Sequence, residues 1–198
     1  LKINRGDNSF KWLDDSMKRR IYEAFNRGIE LILKCQVVQN GVKTAWGQQH
    51  DNETFLPTKA RSYELPSLTA GESCSIIELL MSIPHPSNEV IESVKAAVVW
   101  LKKVQIKGIR VEKIPLSEDK IINHEYPYDK VVVKDKKAKP IWARFYELTD
   151  NTPFMCTRAG EKVWKLSDVD AERRTGYDWY GYWPEKIFEK YDKWLEKV

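Results

Sequence analysis

The sequence predicts a single domain that is mainly α-helical, with short β hairpins. Apolar residues recur at steps of three and four along residues 16–36, 73–83 and 87–104, which is the period of helices that bury one face. Beyond Gln105 the apolar runs are shorter and lie between turn residues, as they do in hairpins. No internal repeat and no linker divides the 198 residues, so residues 1–198 are expected to form one domain.

The first helix is expected over residues 16–36. The candidates for its N-terminal cap are Asp14, Asp15 and Ser16. Its apolar stripe consists of Met17, Ile21, Ala24, Phe25, Gly28, Ile32 and Cys35. Asn40-Gly41 is a turn signal, so residues 37–46 can form a short hairpin around it.

Two further helices are expected to follow. The helix that starts near Ser73 has capping-box spacing at Ser75 and Glu78, and it is apolar nearly all round, which is typical of a buried helix. Two prolines end it, and Ser87 then caps the next helix. The buried stripe of that helix consists of Val90, Val94, Ala97, Val98, Leu101 and Val104.

The remaining chain is predicted to alternate short strands with loops and two helices. The expected strands are residues 109–111, 131–133, 141–148 and 153–158. Residues 115–128 are expected to form a polar loop, and the charge run 134–139 a solvated turn. A short helix opens at residues 167–170, and the aromatic loop 176–184 leads into a last helix. The inward residues of the last helix are Ile187, Phe188, Tyr191 and Leu195.

Composition excludes several classes of function. A net charge of +4, without a basic stripe or a nucleic-acid-binding motif, argues against nucleic acid as a partner. No stretch reaches the length of a membrane span, so no membrane partner is expected. The 3 cysteines are far apart and form no CxxC pair, which argues against a zinc site. The chain opens at LKINRGDNSF without a signal peptide, so its localisation cannot be read from the N-terminus.

Residues 45–73 form a long aperiodic connection between two helices, and such connections are often functional. The segment contains Trp46, His50, Asp51, Lys59, Arg61, Tyr63 and Glu64. Cationic side chains suit carboxylates and flat rings suit sugars, so a site for a polar, anionic ligand is one interpretation. An ordered coil held together by buried salt bridges is the other, and composition alone does not separate them.

The histidines give no clear catalytic signal. His50-Asp51 could form a general-base pair, but no nucleophile accompanies it, so a structural role for His50 is favoured. His85 and His124 have no supporting context.

Seven blocks of the sequence resemble the pectate lyases of polysaccharide lyase family ten. In chain order they are FNRGIELILKCQVVQNGVKTAWGQQHD, KARSYELPSLTAGES, LLMSIPHPS, VKAAVVWLKKVQIKGIRVE, PIWARFYEL, CTRAGEKV and ERRTGYDWYG. The resemblance implies an incomplete (α/α) toroid with extensive coil. It also implies a secreted or periplasmic enzyme that cleaves the α-1,4 linkage of de-esterified homogalacturonan (pectate) by calcium-dependent β-elimination.

The resemblance also implies roles for individual residues. Arg158, in CTRAG, matches the position of the catalytic base, although clamping a carboxylate is an alternative role for it. Arg61 is the best candidate for binding a substrate carboxylate, because its planar fork can contact both oxygens. A salt bridge to Glu64 or Asp51 is the alternative. Further candidates for substrate binding are Lys59, Arg144, Tyr63 and Tyr182. Trp46 and the aromatic cluster from Trp179 to Trp183 are the other candidates for stacking on sugar rings.

The matching blocks form the C-terminal half of the family's catalytic module. The family's calcium-binding aspartates lie upstream of these blocks, so no metal ligand is assigned to the chain, and calcium is expected to be held by carboxylates outside it. The missing N-terminal half of the module is therefore an expected partner, beside polygalacturonate. A non-catalytic or incomplete module that binds acidic polysaccharides is the alternative function.

Overall fold

The computed structural model describes residues 7–117 and 126–198, together with residue 3. The described part contains five α-helices, α1 (Asp15–Cys35), α2 (Ala70–Met81), α3 (Asn88–Lys103), α4 (Ala171–Gly176) and α5 (Trp183–Leu195), and short 3-10 turns that include Asn8–Phe10 and Leu166–Asp168. The predicted caps of α1 and α3 are confirmed. Asp14 accepts a hydrogen bond from the Met17 N–H at 2.7 Å, and the Ser87 hydroxyl accepts one from the Val90 N–H at 3.4 Å.

The strands of the described residues form four small antiparallel sheets. The strands are β1 (Val38–Gln39), β2 (Val42–Lys43), β3 (Leu68–Thr69), β4 (Ile109–Pro115), β5 (Tyr128–Lys134), β6 (Trp142–Ala143), β7 (Phe145–Tyr146), β8 (Pro153–Cys156), β9 (Lys162–Val163) and β10 (Tyr180–Gly181). The largest sheet has the order β3-β7-β8-β9, and three two-stranded sheets pair β1 with β2, β4 with β5, and β6 with β10.

The prediction of a mainly α fold was wrong, and so was the expectation of an incomplete (α/α) toroid. The described residues are 41% helical and 19% strand, and the strands are distributed over several small sheets between the helices. One reason is that β3 and β10 are only two residues long and pair with β7 and β6, which are distant in sequence. Such short pairings leave no period in the sequence.

The helices also differ from the predictions in detail. Helix α2 begins at Ala70, before the expected capping box, because Thr69 is held in a strand by its N–H and hydroxyl bonds to the Trp46 carbonyl. Helix α1 has no fully buried residue. Its C-terminal part packs on the core through Ile29, Ile32, Leu33 and Cys35, whereas Met17 and Ile21 near its start are exposed.

Two hydrophobic clusters hold the described elements together. The larger lies between α2, α3 and α5 and contains residues such as Ile77, Val98 and Ile187. The smaller is aromatic and surrounds Phe145 and Trp179. Because the smaller cluster joins β7 and β8 to the segments on either side of α4, it fixes the turns that carry the candidate site.

Cys74 and Cys156 are buried free thiols and Cys35 is partly buried, as expected of small core residues. No helix in the described part is long and apolar enough to cross a membrane. His124 and most of the predicted loop 115–128 lie outside the described residues.

Candidate functional site

The first half of the aperiodic segment is structural. The His50 Nε2 atom accepts a hydrogen bond from the Gly47 N–H at 2.9 Å, and its Nδ1 donates to the Phe55 carbonyl at 2.8 Å. Asp51 caps the following turn by accepting bonds from the Thr54 N–H and hydroxyl and from the Glu53 N–H, which lower the pKa of its carboxyl. Both ring nitrogens of His50 are therefore occupied, and the pair forms no catalytic dyad.

Trp46 belongs to the core and cannot stack on a sugar. Its ring is almost completely buried, and its indole N–H donates to the Ile32 carbonyl of α1 at 2.7 Å. Trp179 is similarly enclosed, with its indole N–H donating to the Arg173 carbonyl at 3.0 Å. Both indole donors are satisfied inside the protein, as buried tryptophans require.

Arg61 and Glu64 lie on one tight turn. The Arg61 Nε donates to Glu64 Oε2 at 2.9 Å, and the other carboxylate oxygen accepts from the Tyr177 hydroxyl at 2.9 Å. The Glu64 side chain is only 1% exposed, whereas that of Arg61 is 64% exposed. The salt bridge predicted as the alternative for Arg61 is thus present, yet much of the guanidinium still faces solvent. Glu64 raises the pKa of Arg61 through its hydrogen bond and its charge.

Arg158 lies on the turn between β8 and β9. Its backbone N–H donates to Asp170 at 2.6 Å, and its guanidinium pairs with Glu172 of α4 while its side chain stays 65% exposed. The same Glu172 carboxylate accepts from Arg173 at 2.7 Å. The hydrogen bonds from Arg158 and then Arg173 lower the pKa of Glu172. The backbone of Arg158 is therefore held by Asp170, whereas much of its side chain is exposed to solvent.

The turns of Arg61 and Arg158 pack directly against each other. Gly160, two residues after Arg158, has φ +89°, and a Cβ atom at this position would lie 2.5 Å from the Ser62 carbonyl oxygen. Only glycine allows both this backbone conformation and this close approach. The contact explains how two arginines 97 positions apart (158 minus 61) come to lie on neighbouring turns.

We expect Gly160→Ala to separate these two turns and to destabilise the protein more than Gly108→Ala. Gly108 also has a positive φ, of +80°, but a Cβ atom there would meet nothing within 4 Å, so alanine should cost only about 1–2 kcal/mol of unfolding free energy from the backbone strain. Urea titration of both variants measures the difference. Equal losses of unfolding free energy in the two variants would show that the Gly160–Ser62 contact does not contribute to stability.

The Tyr63 ring contacts the guanidinium groups of Arg61 and Arg173. Its ring lies 5.1 Å from the Arg173 guanidinium and 5.7 Å from that of Arg61, and its hydroxyl accepts from Arg61 at 3.2 Å. Tyr177 meets the ring edge-on with centroids 5.3 Å apart. Because the Tyr63 ring is buried among these groups, its face is not open to a sugar in this structure.

Arg144 joins these residues through the Tyr177 ring. It pairs with Glu72 of α2, and its guanidinium lies 4.6 Å from the centre of the Tyr177 ring. Its side chain is only 18% exposed. Three buried polar atoms here lack hydrogen-bond partners among the described residues: Arg144 Nε, Arg173 Nε and Glu72 Oε2. We refer to Arg61, Arg144, Arg158 and Arg173, with Tyr63, Tyr177, Glu64, Glu72 and Glu172, as the arginine cluster.

Lys59 and Tyr182 lie outside this network. Lys59 is exposed and forms no ion pair with a described residue. Tyr182 is exposed at the start of α5, where it lines a different groove with Gly71 and Cys74. Of the six predicted site residues, the structure thus brings together Arg61, Tyr63, Arg144 and Arg158.

The sequence analysis did not predict Arg173 as a site residue, although the two adjacent arginines of ERRTG were a visible signal.

The arginine cluster is suited to bind a carboxylate. It contains four arginines and three glutamates, and the two most exposed charges in it, on Arg61 and Arg158, are both positive. The glutamates fix one part of each guanidinium and leave other N–H donors available. A preorganised guanidinium binds the two oxygens of a carboxylate with little loss of side-chain entropy.

A calcium ion does not fit the described side chains. No group of three or more His, Cys, Asp or Glu residues in the described part could hold a metal ion. The carboxylates nearest the exposed arginines, on Glu64 and Glu172, are already engaged by guanidinium groups. Calcium needs several oxygen ligands, which these residues do not provide.

Stability should fall at high pH, which limits the conditions under which the site can be studied. Burial raises the pKa of Cys74 to about 12 and that of Cys156 to about 11, and it also raises the pKa of Tyr146 and Tyr177. The folded chain therefore keeps protons that the unfolded chain releases near pH ~8.5 for thiols and ~10 for phenols. This stabilisation is complete below those values, and it is lost progressively as the pH rises from them through the higher pKa values of the folded chain.

We expect the free energy of unfolding to decline from about pH 9 upwards, with a weaker decline in Cys156→Ala. Urea unfolding between neutral pH and about pH 11 tests this expectation. A free energy that stays constant over the same range would contradict it.

The comparisons with known proteins agree on one family. The family model described as pectic acid lyase matches residues 2–188. A family 10 polysaccharide lyase from Cellvibrio cellulosa is 32% identical, with a TM-score of 0.76 over 91% of this chain and 53% of that chain. A mutant family 10 lyase from the same organism, in complex with trigalacturonic acid, is 32% identical, with a TM-score of 0.75 and the same coverage. The chain thus spans about half the length of these structures. No curated protein matches it.

Proposed function

Because the chain belongs to the pectic acid lyase family, we propose that it acts on de-esterified homogalacturonan and cleaves the α-1,4 linkage by β-elimination. The observation that carries the proposal is the pair of exposed arginines, Arg61 and Arg158, held on neighbouring turns by Gly160 and by the carboxylates beneath them. The relative in complex with trigalacturonic acid supports a ligand of this class.

The chemistry of elimination explains why such a cluster is useful. A base removes the proton from C5 of a uronate, the C4–O4 bond breaks, and a C4=C5 double bond forms in the sugar that carried the proton. The leaving O4 takes up a proton. Negative charge builds up on the uronate carboxylate as the C5 proton leaves, so cations at that carboxylate stabilise the transition state. Cluster arginines can supply such cations.

We assign the carboxylate clamp to Arg61 and the base to Arg158. Glu64 raises the pKa of Arg61, which keeps this guanidinium charged and suits a permanent cation. The base role of Arg158 rests on the resemblance of CTRAG to the family's sequence, and the cationic Arg173 shares the Glu172 partner of Arg158. A neutral guanidine is scarce near neutral pH, so the rate should increase with pH until the fold fails.

The other predicted residues receive supporting roles in the proposal. The exposed Lys59 ammonium adds to the positive field on the Arg61 side. Arg144 acts mainly by holding Tyr177 and Glu72 in place, because its side chain is largely enclosed. Tyr63 positions Arg61 through its hydroxyl and Arg173 through the cation–π contact with its ring. Tyr182 offers an exposed ring to a more distant sugar.

We further propose that polypeptide beyond the matched region completes the module. The exposed start of α1 carries an apolar stripe, and Met17, Ile21 and Trp12 line a cavity of about 500 Å³ there. The solved relatives contain nearly as much chain again as the part matched here. A segment of that kind would cover the stripe and supply carboxylates for a calcium ion. Since the polymer cannot cross a membrane, we propose that the protein is secreted or periplasmic.

A binding module without turnover is the second candidate function. It is favoured by the observation that the described carboxylates offer no calcium site. The two candidates share the same cationic site and differ only in whether product is formed.

Binding of trigalacturonate and of its methyl ester, measured by titration calorimetry in EDTA, tests the shared part of the proposal. We expect the free acid to bind at least about tenfold more tightly than the ester, because the ester removes the charge-assisted hydrogen bonds. Arg61→Ala should remove most of this preference. Equal affinities for the acid and the ester would contradict a carboxylate-reading site and thus both candidates.

A further inference from the structure

A second groove lies between β5 and the segment that follows β9. Its volume is about 440 Å³, and its lining includes Lys130, Trp164, Lys165, Ser167 and Arg174. This volume is within the range of about 300–1,000 Å³ that is typical of ligand sites. Neither the sequence comparison nor the proposed reaction assigns a role to it.

The groove is distinct from the arginine cluster. Arg173 and Arg174 are consecutive residues of α4, and side chains of consecutive helical residues point about 100° apart. Arg173 points to Tyr63 in the cluster, whereas Arg174 pairs with Asp129 of β5 through two bonds of 2.7 and 2.6 Å. The short helix therefore separates two cationic surfaces.

Several charged residues form the frame of the groove rather than its binding surface. Arg174 donates hydrogen bonds to the Val169 carbonyl, at 2.7 Å, as well as to the Asp129 carboxylate. The Lys130 ammonium donates to the Tyr177 carbonyl at 3.1 Å and to Asp178 at 3.2 Å, and its side chain is mostly buried. These bonds hold β5 against α4 and the aromatic loop, so the groove is built on fixed elements.

Two side chains remain available to a ligand. Trp164 is 61% exposed, and its ring has no aromatic or cationic partner among the described residues. Lys165, the next residue in the chain, is exposed, lines the same groove and forms no ion pair within the part of the chain that the structure describes. An exposed indole face and a free ammonium that line the same groove complement a ligand that has both an apolar ring face and a negative charge.

We propose that this groove binds a uronate unit of an acidic polysaccharide, with the Trp164 ring under one sugar and Lys165 at its carboxylate. The inference rests on the proposed function for the identity of the polymer. The groove gives the protein a second contact with a long chain whose scissile linkage lies in the arginine cluster. Two weak contacts on one polymer add avidity without any new contact at the reacting bond.

Native gel electrophoresis in EDTA with polygalacturonate in the gel tests the proposal. Trp164→Ala should weaken retardation by the polymer about three- to tenfold in apparent dissociation constant. Lys165→Ser should weaken it about two- to fivefold at low salt and less at high salt. Tyr22→Ala is the matched control, because Tyr22 is a 53% exposed aromatic residue of α1, outside both the groove and the arginine cluster, and should leave retardation unchanged.

A protein with both Arg61→Ala and Arg158→Ala isolates the groove from the arginine cluster. It should keep part of its affinity for polygalacturonate and lose that part when Trp164→Ala is added. Equal mobility of Trp164→Ala and Tyr22→Ala would overturn the proposal. Equal retardation by neutral galactan, dependent on Trp164, would overturn the acidic character of the ligand. Trp164-dependent binding in a protein that forms no product would sink the lyase proposal alone.

Discussion

Arg158→Ala should lower kcat on polygalacturonate by about 10³-fold and change KM by less than about threefold. The side chain proposed to remove the C5 proton is lost, whereas the clamp at Arg61 and its support by Glu64 remain. The fold should tolerate the change, because the Arg158 side chain is 65% exposed and its backbone bond to Asp170 does not depend on the side chain. Initial rates from the ultraviolet absorbance of the unsaturated product measure both constants.

Three further variants separate the roles in this prediction. Arg61→Ala should raise KM and lower kcat/KM by about 10- to 100-fold, as the loss of charged hydrogen bonds requires. Arg158→Lys should move the pH–rate profile towards lower pH, since an ammonium loses its proton more readily than a guanidinium. Arg110→Ala removes another carboxylate-paired arginine outside the cluster and should change neither constant. If Arg61→Ala lost kcat and Arg158→Ala raised only KM, the two roles would be exchanged.

Glu64→Leu should reduce the free energy of unfolding by about 1–3 kcal/mol and lower kcat/KM about tenfold. The substitution keeps a side chain of similar size but leaves the partly buried Tyr177 hydroxyl without its acceptor and releases Arg61 from its 2.9 Å bond. Glu64 touches no substrate in the proposal, so its effect on the rate acts through Arg61. Urea unfolding and steady-state kinetics give the two quantities.

The coupling between Glu64 and Arg61 provides a sharper test of this positioning role. In a protein that already carries Glu64→Leu, Arg61→Ala should lower kcat/KM by less than it does alone. Additive losses would show that Glu64 does not position Arg61. Glu53→Leu is the control: it removes an exposed carboxylate from the turn capped by Asp51 and should change the free energy of unfolding by less than about 0.5 kcal/mol.

The sequence contained enough information for the longer helices and little for the sheets. Capping side chains at Asp14 and Ser87 marked the starts of α1 and α3 because these bonds are local. β3 could not be predicted, because Leu68 and Thr69 form a strand only through pairing with Tyr146 and Phe145. The exposed start of α1 shows a further limit, since an apolar stripe predicts a contact but not which polypeptide supplies it.

The candidate site was predictable in its residue types and only partly in its geometry. The ion pair of Arg61 with Glu64 was an explicit alternative, because residues three apart on a tight turn can meet. The second acceptor bond of Glu64, from Tyr177, joins residues 113 positions apart and left no local signal. Tyr63 looked like a stacking ring, but its contacts with Arg173 and Tyr177 exist only after folding.

The central claim is that the arginine cluster eliminates rather than merely binds pectate. The most direct measurement follows the ultraviolet absorbance of unsaturated ends and the number of reducing ends together, with polygalacturonate and calcium at mildly alkaline pH. The account predicts that one unsaturated end appears for each new reducing end, and that Arg158→Ala abolishes both signals. Reducing ends without absorbance would indicate hydrolysis. That result, or product formation unchanged in Arg158→Ala, would contradict the account.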